Sequence, residues 1–439
     1  MTSVLERVLP RMRPPSGRHL RTFASLTTAS LAEAILPSLT LIALVRSAGA
    51  EKSGQIIFAQ SLASIWFLLC DPRAEDAVQR FVPIEHRRSG QGSALFIRLL
   101  HWDVAIGVAA TCIGLLMTTT VRLFGFATDE FALMLSLAIV TRGVMASHGT
   151  TSAAFALTDR LHSLGLLRVS CAIVSFGLAL GGLFAGGPLA YLAGQALGTL
   201  VMTMVLYMRA KPAVFAEFGP AATRIRLPSG LVAFSLKASV GTSVAGISDS
   251  GILTVAAFLG GPSLVTILKI ATAPGRLYAN LVIPVAAMLY PRLAQAAVAE
   301  DGRMLIKRDL IRATLLLAVV GAACLTVTLP IANDILSMMY GHQYAEIGTV
   351  AMVILAAECV KGLVCWANVL PLAVGRPTWR LAYLSAEGIL LLGALFAAAW
   401  TASNAFEISL SFASGALAIA VLGVIVWITL LRRIVHGDR

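Results

Sequence analysis

The stretch ISLSFASGALAIAVLGVIVWITLL, residues 408–431, decides the class of this protein, because it holds no charged side chain and is followed by Arg432 and Arg433. An α-helix needs about 20 apolar residues to cross the hydrocarbon core of a bilayer. Basic residues directly after such a stretch are typical of the cytoplasmic face of a membrane. We therefore predict that residues 408–431 span a membrane and that the two arginines stay in water on its inner side.

The composition of the whole chain supports a membrane protein. Of its 439 residues, 58% are hydrophobic and 13% are charged, and the mean hydropathy is +0.84. A soluble domain has about 45–50% apolar and about 25% charged residues, so this chain has too few charges to cover a water-exposed surface. A soluble multi-domain enzyme, a disordered chain and a collagen-like chain are excluded.

Eleven further apolar segments, separated by charged or turn-forming residues, resemble the first. We predict an all-α integral membrane protein of twelve transmembrane helices, with limits at 22–45, 53–70, 94–120, 131–155, 165–185, 188–208, 231–257, 262–289, 310–331, 347–372, 381–400 and 407–431. The first span is too long for the apolar core of a signal peptide, so we expect no cleaved leader.

The distribution of basic residues gives the orientation. With the N-terminus inside, most of the 34 lysines and arginines fall in inner segments, and the predicted outer segments hold only Arg46, Lys52 and Arg122. This asymmetry follows the positive-inside rule and places both termini in the cytoplasm. The net charge of +12 is therefore an orientation signal, with added attraction to anionic lipids of the inner leaflet, and no nucleic-acid partner is expected.

The two halves of the chain resemble each other weakly. Residues 42–49 match residues 253–260, and Ile97-Arg98 matches Ile311-Arg312, at a nearly constant offset. Six helices per copy give both copies the same orientation, which is a parallel repeat. The predicted organisation is a cytoplasmic N-terminal segment (1–21), an N-lobe of helices 1–6 (22–208), a cytoplasmic linker (209–230), a C-lobe of helices 7–12 (231–431) and a cytoplasmic tail (432–439).

Motifs for catalysis are missing from the sequence. It has no Walker A sequence and no H-E-x-x-H zinc motif, and its outer loops are short. The six cysteines all fall within predicted spans, without metal-ligand spacing. Two six-helix lobes without a catalytic domain indicate a secondary transporter, so we expect neither enzymatic activity nor a cofactor.

Arg276 is the most informative charge inside the predicted membrane region. It follows Pro274 and Gly275 about 14 residues into span 8, where a proline and a glycine together predict a helix break. Irregular backbone at that depth is tolerated where it is buried or lines water. The guanidinium can bind a phosphate with two hydrogen bonds, or it can pair with an acid such as Asp249.

Other buried charges leave two interpretations open. Arg142, Lys269 and Lys361 are candidate cations of a substrate cavity, although Lys361 can simply neutralise Glu358 one turn away, and Lys269 can extend to the outer surface. Lys237 and Glu387 are expected to extend to the inner surface. The acids Glu33, Asp103 and Asp249 are candidates for binding a coupling ion, H⁺ or Na⁺, while Glu33 and Asp103 can instead pair with Arg142.

Two segments carry a resemblance to a known family. Residues 246–260, GISDSGILTVAAFLG, with Tyr290-Pro291-Arg292-Leu293 further on, resemble the start of the second lobe in polysaccharide (O-antigen and exopolysaccharide, Wzx-type) flippases. Residues 77–83, AVQRFVP, resemble the matching part of the first lobe. These flippases belong to the multidrug/oligosaccharidyl-lipid/polysaccharide (MOP) exporter superfamily. Thr266-Ile-Leu268 departs from the Gly-x-Tyr that the family has at this point.

The resemblance implies a function. It implies transport of undecaprenyl-diphosphate-linked oligosaccharide from the inner to the outer leaflet of a bacterial inner membrane by alternating access, together with membrane lipids, a polysaccharide polymerase and glycosyltransferases as partners. The alternative is an ion-coupled multidrug or cation antiporter of the same superfamily. A membrane-embedded glycan-modifying enzyme is less favoured, because no polar catalytic cluster lies near one surface.

Overall fold

The computed structural model describes residues 17–220, 227–296, 302–373 and 377–436, and α-helix dominates throughout these ranges. The helices are α1 (Gly17–Cys70), α2 (Ala74–Ser89), α3 (Gly92–Leu123), α4 (Asp129–Met145), α5 (His148–Leu157), α6 (Leu161–Phe218), α7 (Leu231–Ala296), α8 (Gly302–Thr328), α9 (Ala332–Tyr340), α10 (Ile347–Leu363), α11 (Leu370–Ala373), α12 (Pro377–Thr401) and α13 (Ala405–His436). We call residues 17–220 the N-half and residues 227–436 the C-half.

Length and composition identify eight candidate membrane spans in the described part of the chain. They are 28–89, 92–123, 129–157, 161–218, 250–283, 304–340, 378–401 and 405–431. The protein is therefore a multi-pass membrane protein. The predicted number of twelve exceeds eight because α1, α6 and α7 each contain two of the predicted spans, and because the predicted span 347–372 is divided between two shorter helices, α10 and α11.

Glycines divide these longest helices into two arms. Gly49 in α1, Gly187 in α6 and Gly261 in α7 have non-helical backbone, with φ of 75°, 75° and 71°. Only glycine adopts such angles without a steric cost from Cβ. A side chain on Gly182 would overlap the Ala190 carbonyl and one on Gly194 would overlap that of Leu178, so the arms of α6 fold back antiparallel.

The two halves meet along α1 and α7. Leu41 and Ile57 of α1 share one apolar cluster with Leu253 and Leu264 of α7. Near the two breaks the helices are in close contact: the Thr266 side-chain hydroxyl donates to the Ala50 backbone carbonyl at 2.6 Å, and a side chain on Gly54 would overlap the Pro262 carbonyl. Small residues permit such close approach between membrane helices.

The opposite end of this seam is polar. Ser243 and Ser239 of α7 donate to the carbonyls of Leu68 and Asp71 at 2.8 and 2.7 Å. Beside them the Arg80 guanidinium of α2 lies 4.7 Å from the centre of the Phe234 ring. The halves are thus joined along the first arm of α7 and the start of its second arm, and their remaining faces enclose separate cavities.

The structure corrects two predictions about helix limits. Helix α6 continues to Phe218, so the first ten residues of the predicted linker at 209–230 are helical, with Ala213 and Val214 buried. The break predicted at Pro274 and Gly275 is wrong, because the helix continues through both residues and α7 departs from helical backbone at Gly261. Gly275 has a packing role instead, since a Cβ there would lie 2.9 Å from Cγ of Glu358 on α10.

Candidate functional site

A polar cavity of about 660 Å³ lies inside the N-half. Its walls come from both arms of α1, from α4 and α5, and from both arms of α6. The charged and strongly polar residues that line it are Glu33, Gln60, Arg142, His148, Arg168 and Gln195. A cavity of this size, enclosed by apolar helices and holding a few convergent polar groups, is typical of a ligand site.

Glu33 is neutralised by Arg168, which was not among the predicted site residues. The Arg168 guanidinium of α6 binds both carboxylate oxygens of Glu33, with its Nε 2.8 Å from Oε1. The alternative that Glu33 pairs with Arg142 is therefore wrong. Arg168 lies three residues inside the predicted fifth span, and Glu33 is an acid on the first span without a partner nearby in the sequence. These two positions were a signal that the residues pair.

Amide and imidazole groups in the cavity were not singled out from the sequence. Gln60 Nε2 donates to Gln195 Oε1 at 2.8 Å, and the His148 ring lies 2.6 Å from the Thr203 hydroxyl. Each bond joins two elements that are distant in the sequence. Uncharged residues of this kind are common in membrane helices, so only the fold shows that they share a cavity.

Arg142 lies where this cavity meets a smaller one. It lines both the 660 Å³ cavity and an adjoining cavity of about 230 Å³, together with Met145 and Gly149. Within the described ranges the Arg142 guanidinium forms neither an ion pair nor a hydrogen bond. An arginine held in a cavity without a partner keeps its five donors available for an anion.

Asp103 lines the smaller cavity from α3. It is 3% exposed, and Oδ2 accepts a hydrogen bond of 2.6 Å from the Thr150 hydroxyl of α5. No cation binds Asp103 among the residues that the structure describes, so the alternative of a pair with Arg142 is wrong for this arrangement. Asp71 and Glu75 line the same cavity.

A cavity of about 320 Å³ in the C-half has a different electrostatic character. Arg276, Glu358 and Lys361 line it. Lys361 Nζ lies 3.2 Å from Glu358 Oε1 and 2.8 Å from Glu387 Oε1, so it holds carboxylates from α10 and α12 together. Glu387 was expected to extend to the inner surface, and instead its side chain is 15% exposed beside Lys361.

The remaining predicted charges are placed as follows. Arg276 is exposed to its cavity and makes no ion pair within the described part of the chain. Lys269 is half-buried in α7 and does not line the three cavities above. The side chains of Asp249 and Lys237 lie outside the described residues. The structure thus brings Arg276 and Lys361 to one cavity and Arg142 to another.

Comparison with known proteins relates this fold to transporters. No family model and no curated protein matches the sequence. A multidrug resistance MATE family transporter of the MOP superfamily in an inward-facing conformation matches 94% of this chain and 100% of its own, with 12% identity and a TM-score of 0.68. The outward-facing conformation of such a transporter matches 95% of this chain and 96% of its own, with 12% identity and a TM-score of 0.64.

A third similar structure is a MOP superfamily transporter from Pyrococcus furiosus, described as having a binding pocket of reverse polarity that suggests a different function. It matches 94% of this chain and 96% of its own, with 11% identity and a TM-score of 0.65. These structures are of transporters and not of enzymes. The chain has a MATE-like fold.

Proposed function

We propose that the protein is a flippase that moves undecaprenyl-diphosphate-linked oligosaccharide from the inner to the outer leaflet of a bacterial inner membrane. The two halves alternate between inward- and outward-facing arrangements and so expose the cavities in turn. The product serves cell-surface or exopolysaccharide synthesis, with glycosyltransferases supplying the substrate and a polymerase using it. The protein carries out no covalent chemistry in this scheme.

The proposed topology is twelve crossings in two six-helix lobes, with both termini in the cytoplasm. The breaks at Gly49, Gly187 and Gly261 support it, because each divides a helix into two arms of membrane-spanning length. Residues 347–373 add a crossing built from α10, a 3₁₀ turn and α11. The asymmetric distribution of basic residues supports the orientation.

The observation that carries the proposal is Arg142 at the junction of the two N-half cavities. The Arg142 side chain is exposed to the cavity, and no described residue supplies an anion to it, so its donors are available to an anionic ligand. A diphosphate diester supplies two negative charges and accepts paired hydrogen bonds from arginine. Arg276 offers the same group in the C-half, so both cavities can hold the phosphates as the halves move.

Flipping of a defined lipid tests this function. The purified protein is reconstituted in vesicles that contain a fluorescent undecaprenyl-diphosphate-linked sugar, and a membrane-impermeant reductant measures the fraction that reaches the outer leaflet. Loss of a charged hydrogen bond to phosphate costs about 1.5–3 kcal/mol, so we expect Arg142→Ala and Arg276→Ala each to reduce the flipping rate roughly tenfold to hundredfold.

Arg122→Ala is the matched control for these variants. Arg122 is an exposed arginine whose Nε lies 2.6 Å from Asp129 Oδ1, away from both cavities. It should insert, fold and flip lipid like the unmodified protein. Normal flipping by Arg142→Ala and Arg276→Ala, with correct membrane insertion, would refute the proposed role of the cavity cations.

A second function is favoured by the acids of the N-half. Glu33 in the larger cavity and Asp103 in the smaller one suit an ion-coupled antiporter of drugs or cations. Deletion of the gene distinguishes the two functions, since a flippase deletion accumulates lipid-linked oligosaccharide on the inner leaflet. Drug resistance on overexpression, without such accumulation on deletion, would favour the antiporter.

A further inference from the structure

The acids of the smaller N-half cavity differ in how their charges are compensated. Arg73 Nη1 lies 2.6 Å from Glu75 Oε1, and the Arg73 backbone N–H donates to Asp71 Oδ1 at 2.8 Å. Asp103 has a single hydroxyl donor, Thr150, and no cationic partner in the described part of the chain. The uncompensated acid is thus the most buried of the three.

Arg142 and Asp103 line the same cavity of about 230 Å³. One is a cation and the other a carboxyl group, and neither has a charged partner within the described ranges. Asp103 is buried and Arg142 is exposed to the cavity, so an ionised Asp103 attracts the guanidinium less than in a dry interior but more than in bulk water. The Arg142 side chain also lines the larger cavity, where the proposed phosphate would bind. One guanidinium therefore lines both the cavity that holds Asp103 and the cavity in which the phosphate is proposed to bind.

We propose that Asp103 is a positioning residue that controls whether Arg142 is available to the phosphates of the substrate. Ionised Asp103 draws the Arg142 side chain into the smaller cavity. Protonated Asp103 leaves it directed into the larger cavity, where it binds the diphosphate. This inference rests on the proposed function and adds to it the group that links substrate binding to a proton.

Thermodynamic linkage fixes how protonation of Asp103 and anion binding affect each other. If protonation of Asp103 strengthens anion binding, then anion binding strengthens protonation by the same factor. The substrate would therefore bind together with a proton, and loss of that proton would weaken binding and favour release of the substrate. Mildly acidic conditions should favour binding, and mildly alkaline conditions should oppose it.

Other titratable groups near Asp103 must be separated from it. Asp71 and Glu75 face it across the smaller cavity, and His148 of α5 lines the larger one. His101 precedes it by two residues on α3, near Arg98. His148 is the important competitor, because its protonation would also favour an anion at low pH. His148→Gln therefore tests this competitor through the pH dependence of binding alone, because His148 lines the proposed binding cavity and its removal is expected to change the affinity at every pH.

The experiment is equilibrium binding of citronellyl-diphosphate-linked N-acetylglucosamine to the full-length protein in detergent, from mildly acidic to mildly alkaline pH. The diphosphate diester keeps its charge over this range, so changes in affinity come from the protein. We expect the affinity of the unmodified protein and of His148→Gln to fall roughly tenfold as pH rises. Asp103→Asn should bind at all pH values as tightly as the unmodified protein binds in acid.

Further variants distinguish positioning from folding. Arg142→Gln should bind weakly and without pH dependence, and Asp103→Asn should change nothing further in that background. A pH dependence that persists in Asp103→Asn, or is lost in His148→Gln, would overturn the inference. Tight binding by the unmodified protein at every pH would overturn the switch and leave the flippase proposal standing. No binding at any pH would overturn both.

Discussion

The larger N-half cavity and the C-half cavity each have three charged lining residues but compensate them differently. In the C-half, Lys361 is held between Glu358 and Glu387, at 3.2 and 2.8 Å. In the N-half, Arg168 is bound by Glu33, while Arg142 has no charged partner within the described ranges. The ion pairs of Lys361 join helices α10 and α12 in the C-half, whereas Arg142 in the N-half and Arg276 in the C-half are left for a ligand.

This difference shows that the location of a charge in a membrane helix does not by itself assign its role. Buried ion pairs contribute little net stability, but removal of one partner is strongly destabilising because it leaves the other charge without compensation. We therefore infer that a paired charge stabilises the fold, whereas an unpaired charge in a cavity binds a ligand. The two classes should respond to substitution in opposite ways.

The largest effect on stability is expected for Lys361→Met. The substitution leaves Glu358 and Glu387 facing each other without their shared cation, and both are largely removed from water. We expect the free energy of unfolding in detergent to fall by about 3 kcal/mol, the lower end of the cost of breaking a buried pair. Thermal unfolding of the purified protein measures it.

Two variants test whether compensation is the cause. Lys361→Met combined with Glu358→Gln and Glu387→Gln removes all three charges and should recover most of the lost stability. Arg142→Met should change the free energy of unfolding by less than about 1 kcal/mol, because no ion pair is broken. Equal losses in Arg142→Met and Lys361→Met would show that the two cavities do not differ as described.

How much of the fold and of the candidate site could be predicted from the sequence depends on how far apart in the chain the interacting residues lie. The 3.6-residue period places Glu358 and Lys361 one turn apart, so their pairing was available from local geometry. The pairs Lys361–Glu387 and Arg168–Glu33 join helices whose relative rotation is not encoded in any local pattern. Hydropathy likewise predicts the helices, whereas the backbone break in α7 depends on one glycine, Gly261, rather than on the more conspicuous Pro274.

Arg142 shows what sequence reasoning can do and where it ends. The apolar context of Arg142 was enough to select it as a candidate cavity cation. Its position in the wall between two cavities depends on the packing of α4 against α1, α3 and α6. That packing is part of the tertiary structure and is not encoded in the local sequence. The same packing brings Asp103 to a cavity that Arg142 also lines.

A smaller effect is expected for Glu33→Gln, which should lower the stability of the protein and raise its affinity for an anionic ligand. The substitution frees Arg168 from its carboxylate and adds a second uncompensated cation to the larger N-half cavity. We expect the free energy of unfolding to fall by about 1 kcal/mol, because the pair is half-buried. The affinity for citronellyl-diphosphate-linked N-acetylglucosamine should rise by roughly fivefold, or about 1 kcal/mol.

Glu358→Gln is the matched control in the C-half. Lys361 keeps Glu387 at 2.8 Å in this variant, so no free cation is created and the affinity for the same probe should stay unchanged. Binding and thermal unfolding are measured on the same preparations. A similar gain in affinity from both variants would indicate that overall charge, rather than the compensation of particular cations, governs anion binding.

The smallest effect is expected for Arg122→Ala. This variant tests whether anion binding depends on the net charge of the protein or on the position of a particular charge. Arg122 and Asp129 are 54% and 81% exposed, and exposed pairs contribute about 0–1 kcal/mol. Charges in water are screened beyond about 8 Å at physiological salt, so Arg122 cannot act on a ligand inside the N-half cavity. Probe affinity and unfolding temperature should match those of the unmodified protein at low and at physiological salt.

Since Arg122→Ala removes the same formal charge as Arg142→Ala, weaker binding in Arg142→Ala alone would assign anion binding to the position of the guanidinium. Equal weakening that disappears at high salt would assign it to long-range attraction by the basic chain as a whole.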